Sequence, residues 1–327
     1  MDRLKLENQF TCRICGNHQN NVHWKASEMM YGLKDEFNYW ECNRCKCVQI
    51  ENFPEDMSRY YPSHYYSFRV YDGKKFKGTG GWFKKLQFKS SVQPQNIFQQ
   101  LIKSLFGIKN YLIFKDLSIT KETRILDVGC GNGKSFLYPL AEIGFTSVVG
   151  CDPFIEQTIE YPNGLVIKKC DIEKMDGKWD IITWHHSFEH IPNPLENLQK
   201  ASQILSEKGV CIIRIPTSSS YAWEHYRTNW VQLDAPRHFF LHSKESMEVL
   251  AAACGMELYQ IQYDSTHFQF SGSEKYIKDI ALAKPRPKGL IHFIKRKRLK
   301  RTYQIKARKL NAENRGDQAA FFLRKKN

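Results

Sequence analysis

A chain of 327 residues, 42% hydrophobic and 13% aromatic, is long enough to bury one large core and a smaller one, and its composition excludes a fibrous or low-complexity protein. Its 49 Lys and Arg against 34 Asp and Glu give a net charge of +15, which favours something anionic as partner: a nucleotide, a nucleic acid, a phosphorylated substrate or a membrane surface. No apolar run approaches the ~18 residues that cross a bilayer and no stretch of signal length opens the chain, so the expected location is the cytoplasm.

The first element is a cysteine module. "TCRICGNHQN" and "YWECNRCKCVQI" hold two C-x-x-C pairs with twenty-six residues between them. Each pair places two thiolates on one tight turn, and two facing turns complete a closed tetrahedral site, so Cys12, Cys15, Cys42 and Cys45 are the expected ligands of a structural Zn2+. Cys47, His18 and His23 are spare, whereas Cys130, Cys151, Cys170, Cys211 and Cys254 are scattered singly and read as reduced core cysteines. A tyrosine-rich stretch, "RYYPSHYYSFRVYDG", follows, and reads equally as an aromatic-packed loop or as a substrate contact. Next, Ile97, Phe98, Leu101, Ile102, Leu105 and Phe106 recur at helical spacing and predict an amphipathic helix acting as a core or lid element.

From about residue 121, strands and helices alternate. "RILDVGC", "SVVGCD", "LVIKKCD", "WDIITWHHS", "GVCIIRIP" and "ELYQIQYD" read as strands, with "SFLYPLAEIG", "PLENLQKASQIL" and "SKESMEVLAAACG" as helices. Continuous apolar strands alternating with helices predict a mostly parallel sheet covered on both faces, with ligands at the carboxyl ends of its strands. A basic insertion at about 265–317, containing "IHFIKRKRLKRTYQIKARKL", precedes "DQAAFFLRK", which reads as a last, antiparallel strand. The basic run has three readings: a solvated helical face, an RNA patch, or an anchor on anionic lipid at the inner membrane face.

The loop "LDVGCGNGKS" decides between ligands. It ends in the Gly-Lys-Ser of a phosphate-binding loop but has Val128 at the opening glycine, and it meets Lys134 where a dinucleotide fingerprint needs its third glycine. Asp127, Asp152 and Asp171 each end a strand, so three carboxylates ring the loop; they repel phosphate and suit a ligand bearing a ribose diol, an adenine amino group and a cationic amino acid end.

With those carboxylates, "LDVGCGNG" and "WDIITWHHSFEHIPNP" resemble class I S-adenosylmethionine-dependent methyltransferases over about 121–264. The resemblance implies a Rossmann-like α/β core with a seven-stranded, mostly parallel sheet. It also implies that Gly129, Gly131 and Gly133 line the methionine part of S-adenosyl-L-methionine, Asp152 holds the ribose diol, and Asp171 with the backbone of Ile172 holds adenine, while Asp127 orders the loop. His185, at the end of the fourth strand, joins this set, and His186, His190, His238 and His242 gather in the loops beyond the strands. Imidazole titrates near neutrality and suits the base that takes an acceptor's proton.

The layout as a whole, zinc ribbon at 1–65, helical linker or substrate lid at 66–120 and methyltransferase domain at 121–327, resembles bacterial methyltransferases of sugars and surface polysaccharides. In the nucleotide-sugar C-methylating members a histidine of E-H-x-x-Y-F is thought to act as base, helped by one after the fourth strand; "PRHFFLHS" and "FEHIPNP" match with His238 and His190. Arg237 stands where those enzymes have glutamate, which favours O-methylation or a related activity over C-methylation, and it reads equally as a grip on a substrate anion or as a surface ion pair. The expected acceptor is therefore a small molecule or glycan. A nucleic acid methyltransferase fits the charge but lacks an N-P-P-Y-like turn after the fourth strand, and a cofactor-holding module without turnover is the third alternative.

Overall fold

A computed structural model describes residues 10–61, 70–93, 96–285 and 289–326. Most of the tyrosine-rich stretch, at 62–69, and both ends of the 1–65 segment lie outside the described residues. The described strands, in chain order, are β1 (Val22–Ser27), β2 (Glu36–Glu41), β3 (Val48–Ile50), β4 (Ile125–Val128), β5 (Val148–Cys151), β6 (Ile159–Glu160), β7 (Val166–Lys168), β8 (Trp179–His185), β9 (Leu205–Pro216), β10 (Phe240–Leu241), β11 (Met256–Tyr263) and β12 (Gln318–Lys325). The α-helices are α1 (Gly78–Val92), α2 (Ile97–Phe106), α3 (Leu137–Glu142), α4 (Pro194–Ile204), α5 (Tyr221–Tyr226), α6 (Lys244–Ala253), α7 (Phe268–Ile277) and α8 (Leu290–Ala312).

Two compact units share the chain: one comprises residues 1–61, 188–196 and 214–321, the other 62–187, 197–213 and 322–327. The first carries a four-stranded sheet in the order β1-β2-β3-β10. β1 and β2 form an antiparallel pair with Val22 opposite Glu41 and Ser27 opposite Glu36, and β3 pairs antiparallel with both β2 and β10. A three-stranded ribbon this short has little core of its own. Here its buried Tyr39, Val48 and Ile50 join one cluster with Trp223, Trp230, Phe240, Leu241 and Phe270, which come from more than 170 residues further along the chain.

The second unit is built on parallel strands. β4 pairs in parallel with β5 on one side and β8 on the other, and β5 pairs in parallel with β7. Every residue of β4, "ILDV", is buried, as are Ile181, Ile182 and Trp184 of β8, which is the continuous apolar pattern of strands covered on both faces. Among the described residues the sheet has eight strands in the order β11-β12-β9-β8-β4-β5-β7-β6, where seven were expected. The two-residue β6 runs antiparallel to β7; so short a pairing leaves too little alternation in "QTIEYPNG" to be read from sequence. Strand order reverses at β4, with chain direction unchanged: the next strand in sequence lies on one side and β8 on the other, which makes the carboxyl end of β4 the switch point where such sheets hold ligands.

The helix expected at 97–106 forms, but not as a core element. Asn96 caps it by accepting the Gln99 N–H, and Gln87 of α1 holds the Phe106 carbonyl, so Gln99 is buried while Ile97, Phe98, Leu101, Leu105 and Phe106 are exposed. Polar tethers to α1, rather than the apolar stripe, fix its orientation.

Candidate active site and metal centre

The glycine loop leaves β4 at the switch point. Gly129, Gly131 and Gly133 all have positive φ, at 68°, 55° and 67°, which side chains with a Cβ rarely adopt. Space adds a second constraint: a Cβ on Gly129 would stand 2.6 Å from Ser187 Cβ, and one on Gly133 2.8 Å from Ile167 Cδ1. The loop is pinned by backbone bonds from Gly129 N to Cys151 O (2.8 Å) and from Gly133 N to Cys130 O (3.0 Å).

Three strand ends surround it with acid. Asp152 accepts from Gly131 N and from Phe154 N, both at 2.8 Å, so one carboxylate fixes the loop and keeps an acceptor lone pair on each oxygen for a ligand. Burial raises its pKa, against those two hydrogen bonds. Asp171 is exposed and begins the short 3-10 turn Ile172–Lys174, with Ile172 fully buried behind it. Asp127 is only 2% exposed and accepts from Thr183 Oγ1 of β8 at 2.8 Å. Burial pushes its acid up to about 8, so it holds a proton near neutrality, and the repulsion of phosphate falls on Asp152 and Asp171. His185 ends β8, its ring 4.1 Å from that of Phe136, which stacks in turn on Tyr111. The cofactor-binding set drawn from sequence, Asp127, Gly129, Gly131, Gly133, Asp152, Asp171, Ile172 and His185, thus lies on the carboxyl ends of β4, β5, β7 and β8.

A different cluster forms in the other unit. His190 and His238 pack edge to face with ring centroids 4.8 Å apart. Nδ1 of His190 lies 2.7 Å from Arg237 O, and Nδ1 of His238 lies 2.8 Å from Gln232 O. A carbonyl only accepts, so each Nδ1 carries the hydrogen and each Nε2 presents its lone pair. Burial lowers the pKa of His190. Sequence reasoning missed the carboxylates here: Glu189, fully buried, and Asp234 each place an oxygen 3.9 Å from His238 Nε2. Glu189 directly precedes His190 in the quoted "FEH", the one signal that was available.

Arg237 is not a substrate grip. Its side chain is 1% exposed and holds Glu28 at 3.0 Å and Asp234 at 2.6 Å, so its donors are consumed inside the fold. Glu28 takes three further backbone N–H donors, from Tyr31, Gly32 and Leu33, so its carboxylate is fully engaged opposite the guanidinium. For Asp234, burial raises the pKa, but the Arg237 ion pair outweighs it and the net shift is downward. Of the other candidates, His186 is exposed, and His242 is fully buried against Phe240, with burial pushing its pKa down to about 3; it is a neutral core residue.

The four cysteines converge. Cys12 and Cys45 Sγ are 3.6 Å apart, Cys15 and Cys42 Sγ 3.5 Å, and all four lie within 4.8 Å of one another. Four sulfurs at about 2.3 Å from a tetrahedral zinc are separated by about 3.8 Å, so the donor set and spacing fit that ion. The two turns repeat one another: Gly16 N bonds Cys12 O, Lys46 N bonds Cys42 O, and both Gly16 and Lys46 have positive φ. Cys47 is buried outside the set, its Sγ 3.9 Å from His242 Nδ1.

Comparison with known proteins adds one decisive match: the family model for a methyltransferase domain covers residues 96–261. The chain belongs to the methyltransferase-domain family. This methyltransferase matches no curated protein in sequence. Solved structures to which the chain is similar include a mycolic acid cyclopropane synthase complexed with SAH and CTAB (TM-score 0.44, 17% identity, 74% of this chain and 98% of that one). Others are a cyclopropane synthase from Mycobacterium tuberculosis (0.42, 16%, 74% and 97%) and a SAM dependent methyltransferase from Archaeoglobus fulgidus (0.41, 17%, 71% and 100%). At that level of likeness neither ligand nor substrate carries over to this chain.

Proposed function

We propose that this methyltransferase uses S-adenosylmethionine to methylate a sugar, nucleotide-linked or lipid-linked, at a hydroxyl or carbon, and that Zn2+ closes the four-cysteine site as a structural ion. The observation that carries the cofactor is the glycine loop at the switch point, with Asp152 and Asp171 on the adjoining strand ends. When bound, the cofactor supplies an electrophilic methyl on sulfonium sulfur, so alignment of the acceptor and removal of its proton are what the protein adds. Gly129, Gly131 and Gly133 let the loop backbone approach the amino acid end closely, Asp152 takes the ribose diol, and Asp171 with the Ile172 N–H takes adenine.

His190 and His238 are proposed to take the acceptor's proton. Their support is the pair of Nδ1–H donors fixed on backbone carbonyls, which leaves each Nε2 lone pair to accept a proton, and the neighbouring Glu189 and Asp234, each with an oxygen 3.9 Å from His238 Nε2. With Glu189 beside His238, Arg237 at the position of the C-methylating enzymes' glutamate does not leave the histidine without a carboxylate. Sugar as acceptor rests on the resemblance of the layout. Incubating the enzyme with S-adenosylmethionine and a set of nucleotide sugars and lipid-linked glycans, with mass spectrometry of the products, tests it: a gain of one methylene mass on a sugar is expected. In His238→Ala and His190→Ala, turnover should fall by about 10²–10⁴ with cofactor affinity unchanged. Unaltered turnover in both removes them as bases.

A further inference from the structure

We propose that the amino-terminal half of α8 docks on the surface of an anionic phospholipid bilayer. Among the described residues, this helix is held to its unit only at its carboxyl-terminal half. Ala307 and Leu310 are buried, Lys306 packs over Tyr221 and Phe270, Gln304 accepts the His267 N–H, and Asn311 exchanges hydrogen bonds with the backbone of Ser265. By contrast, every residue from 290 to 302 is exposed, a free helical length of about 20 Å at 1.5 Å per residue.

What that free half displays is ordered along its axis. Leu290, Ile291, Phe293 and Ile294 come first, at 72%, 69%, 52% and 56% exposure; the i, i+3, i+4 spacing puts them on one side of the tip. Lys295, Arg296, Lys297, Arg298, Lys300 and Arg301 follow, and the whole helix contains nine cations and no acid. An apolar tip on a cationic shaft matches the two layers of a membrane surface, with the tip entering the acyl boundary while the shaft meets lipid phosphates. Each Lys or Arg near an anionic bilayer multiplies partitioning by about fivefold. The same density of like charge opposes burial of this face against a second copy. Nucleic acid would satisfy the shaft but gives the aliphatic tip no partner.

Flotation of the full chain with phosphatidylcholine vesicles, with and without phosphatidylglycerol, tests this. Binding is expected only with phosphatidylglycerol and should weaken as salt rises. Joint substitution Lys295→Gln, Arg296→Gln, Lys297→Gln and Arg298→Gln should weaken it by about 100-fold or more. Joint substitution Leu290→Ser, Ile291→Ser, Phe293→Ser and Ile294→Ser should weaken it by about tenfold or more with charge unaltered. A single Phe293→Trp keeps the tip apolar and reports depth: bromine-labelled acyl chains should quench its added fluorescence. No flotation with phosphatidylglycerol at low salt, a serine variant that binds like the wild type, or an unquenched Trp would overturn the proposal, as would RNA binding that ignores the tip substitutions.

Discussion

Replacing Gly129 by alanine isolates what the glycine loop demands. The added Cβ meets two separate costs. Its φ of 68° is a region that alanine occupies at about 1–2 kcal/mol, less ~0.4–1 kcal/mol recovered from the stiffer unfolded chain. It would also stand 2.6 Å from Ser187 Cβ, and Ser187 is itself tied by a 2.6 Å hydrogen bond to Val128 O, so relief displaces a held residue for about 1–3 kcal/mol more. Gly164 supplies the control: φ is 85°, and nothing lies within 4 Å of its virtual Cβ. Gly164→Ala should therefore cost only the backbone part. At about 2–4 °C per kcal/mol for a protein core of this size, Gly129→Ala should melt several degrees below Gly164→Ala in differential scanning calorimetry. It should also show a weakened calorimetric response to S-adenosylmethionine that Gly164→Ala does not share. Equal melting temperatures and equal cofactor affinity for the two variants would refute the steric reading of the loop.

Other expectations follow from single groups. Asp127 titrates at about 8 in the fold, above a free carboxyl, so its own contribution to stability is fully present below pH ~4 and is lost as pH rises through 8; melting temperature should fall between pH 5 and 9 more in the ligand-free wild type than in Asp127→Asn. If the two profiles run parallel, Asp127 is not the group responsible. Arg237→Met removes a guanidinium that is 1% exposed and strands Glu28 and Asp234, which should destabilise by about 3–5 kcal/mol in urea unfolding. A variant of unchanged stability but weakened acceptor binding would show that Arg237 contacts substrate after all. Cys42→Ser should abolish stoichiometric zinc in elemental analysis and loosen the segment around 10–50 in hydrogen exchange, whereas Cys47→Ser should retain the metal.

The sequence made some features legible because few physical solutions satisfy them. Two C-x-x-C pairs admit one tetrahedral closure, and the sulfurs of Cys12, Cys15, Cys42 and Cys45 do converge. Apolar runs such as "ILDV" and "IITW" are intelligible only as strands covered on both faces, and they pair in parallel as expected. Other features turn on contacts between residues far apart in the chain. Nothing local in "PRHFF" indicates that Arg237 is matched by Glu28, more than 200 residues earlier, so an arginine beside a candidate base reads equally as a hand for substrate or as a surface ion pair, and its burial stays hidden. The pairing of β3 with Phe240–Leu241 is hidden in the same way, since a two-residue strand has no period to detect. α2 shows the opposite failure. Its apolar stripe is plain, but the hydrogen bond that Gln87 donates to Phe106 O and the one that Ser91 accepts from Ile108 N decide which side docks.

Isothermal calorimetry with S-adenosylmethionine, on the wild type and on Asp152→Ala, bears most directly on the central claim that the rim of β4, β5 and β7 holds this nucleoside. One molecule should bind per chain, with affinity at least about tenfold weaker in the variant because a charged acceptor for the diol is lost, and ATP should give no heat. Silence with S-adenosylmethionine while ATP binds, or equal affinity in both proteins, would contradict it.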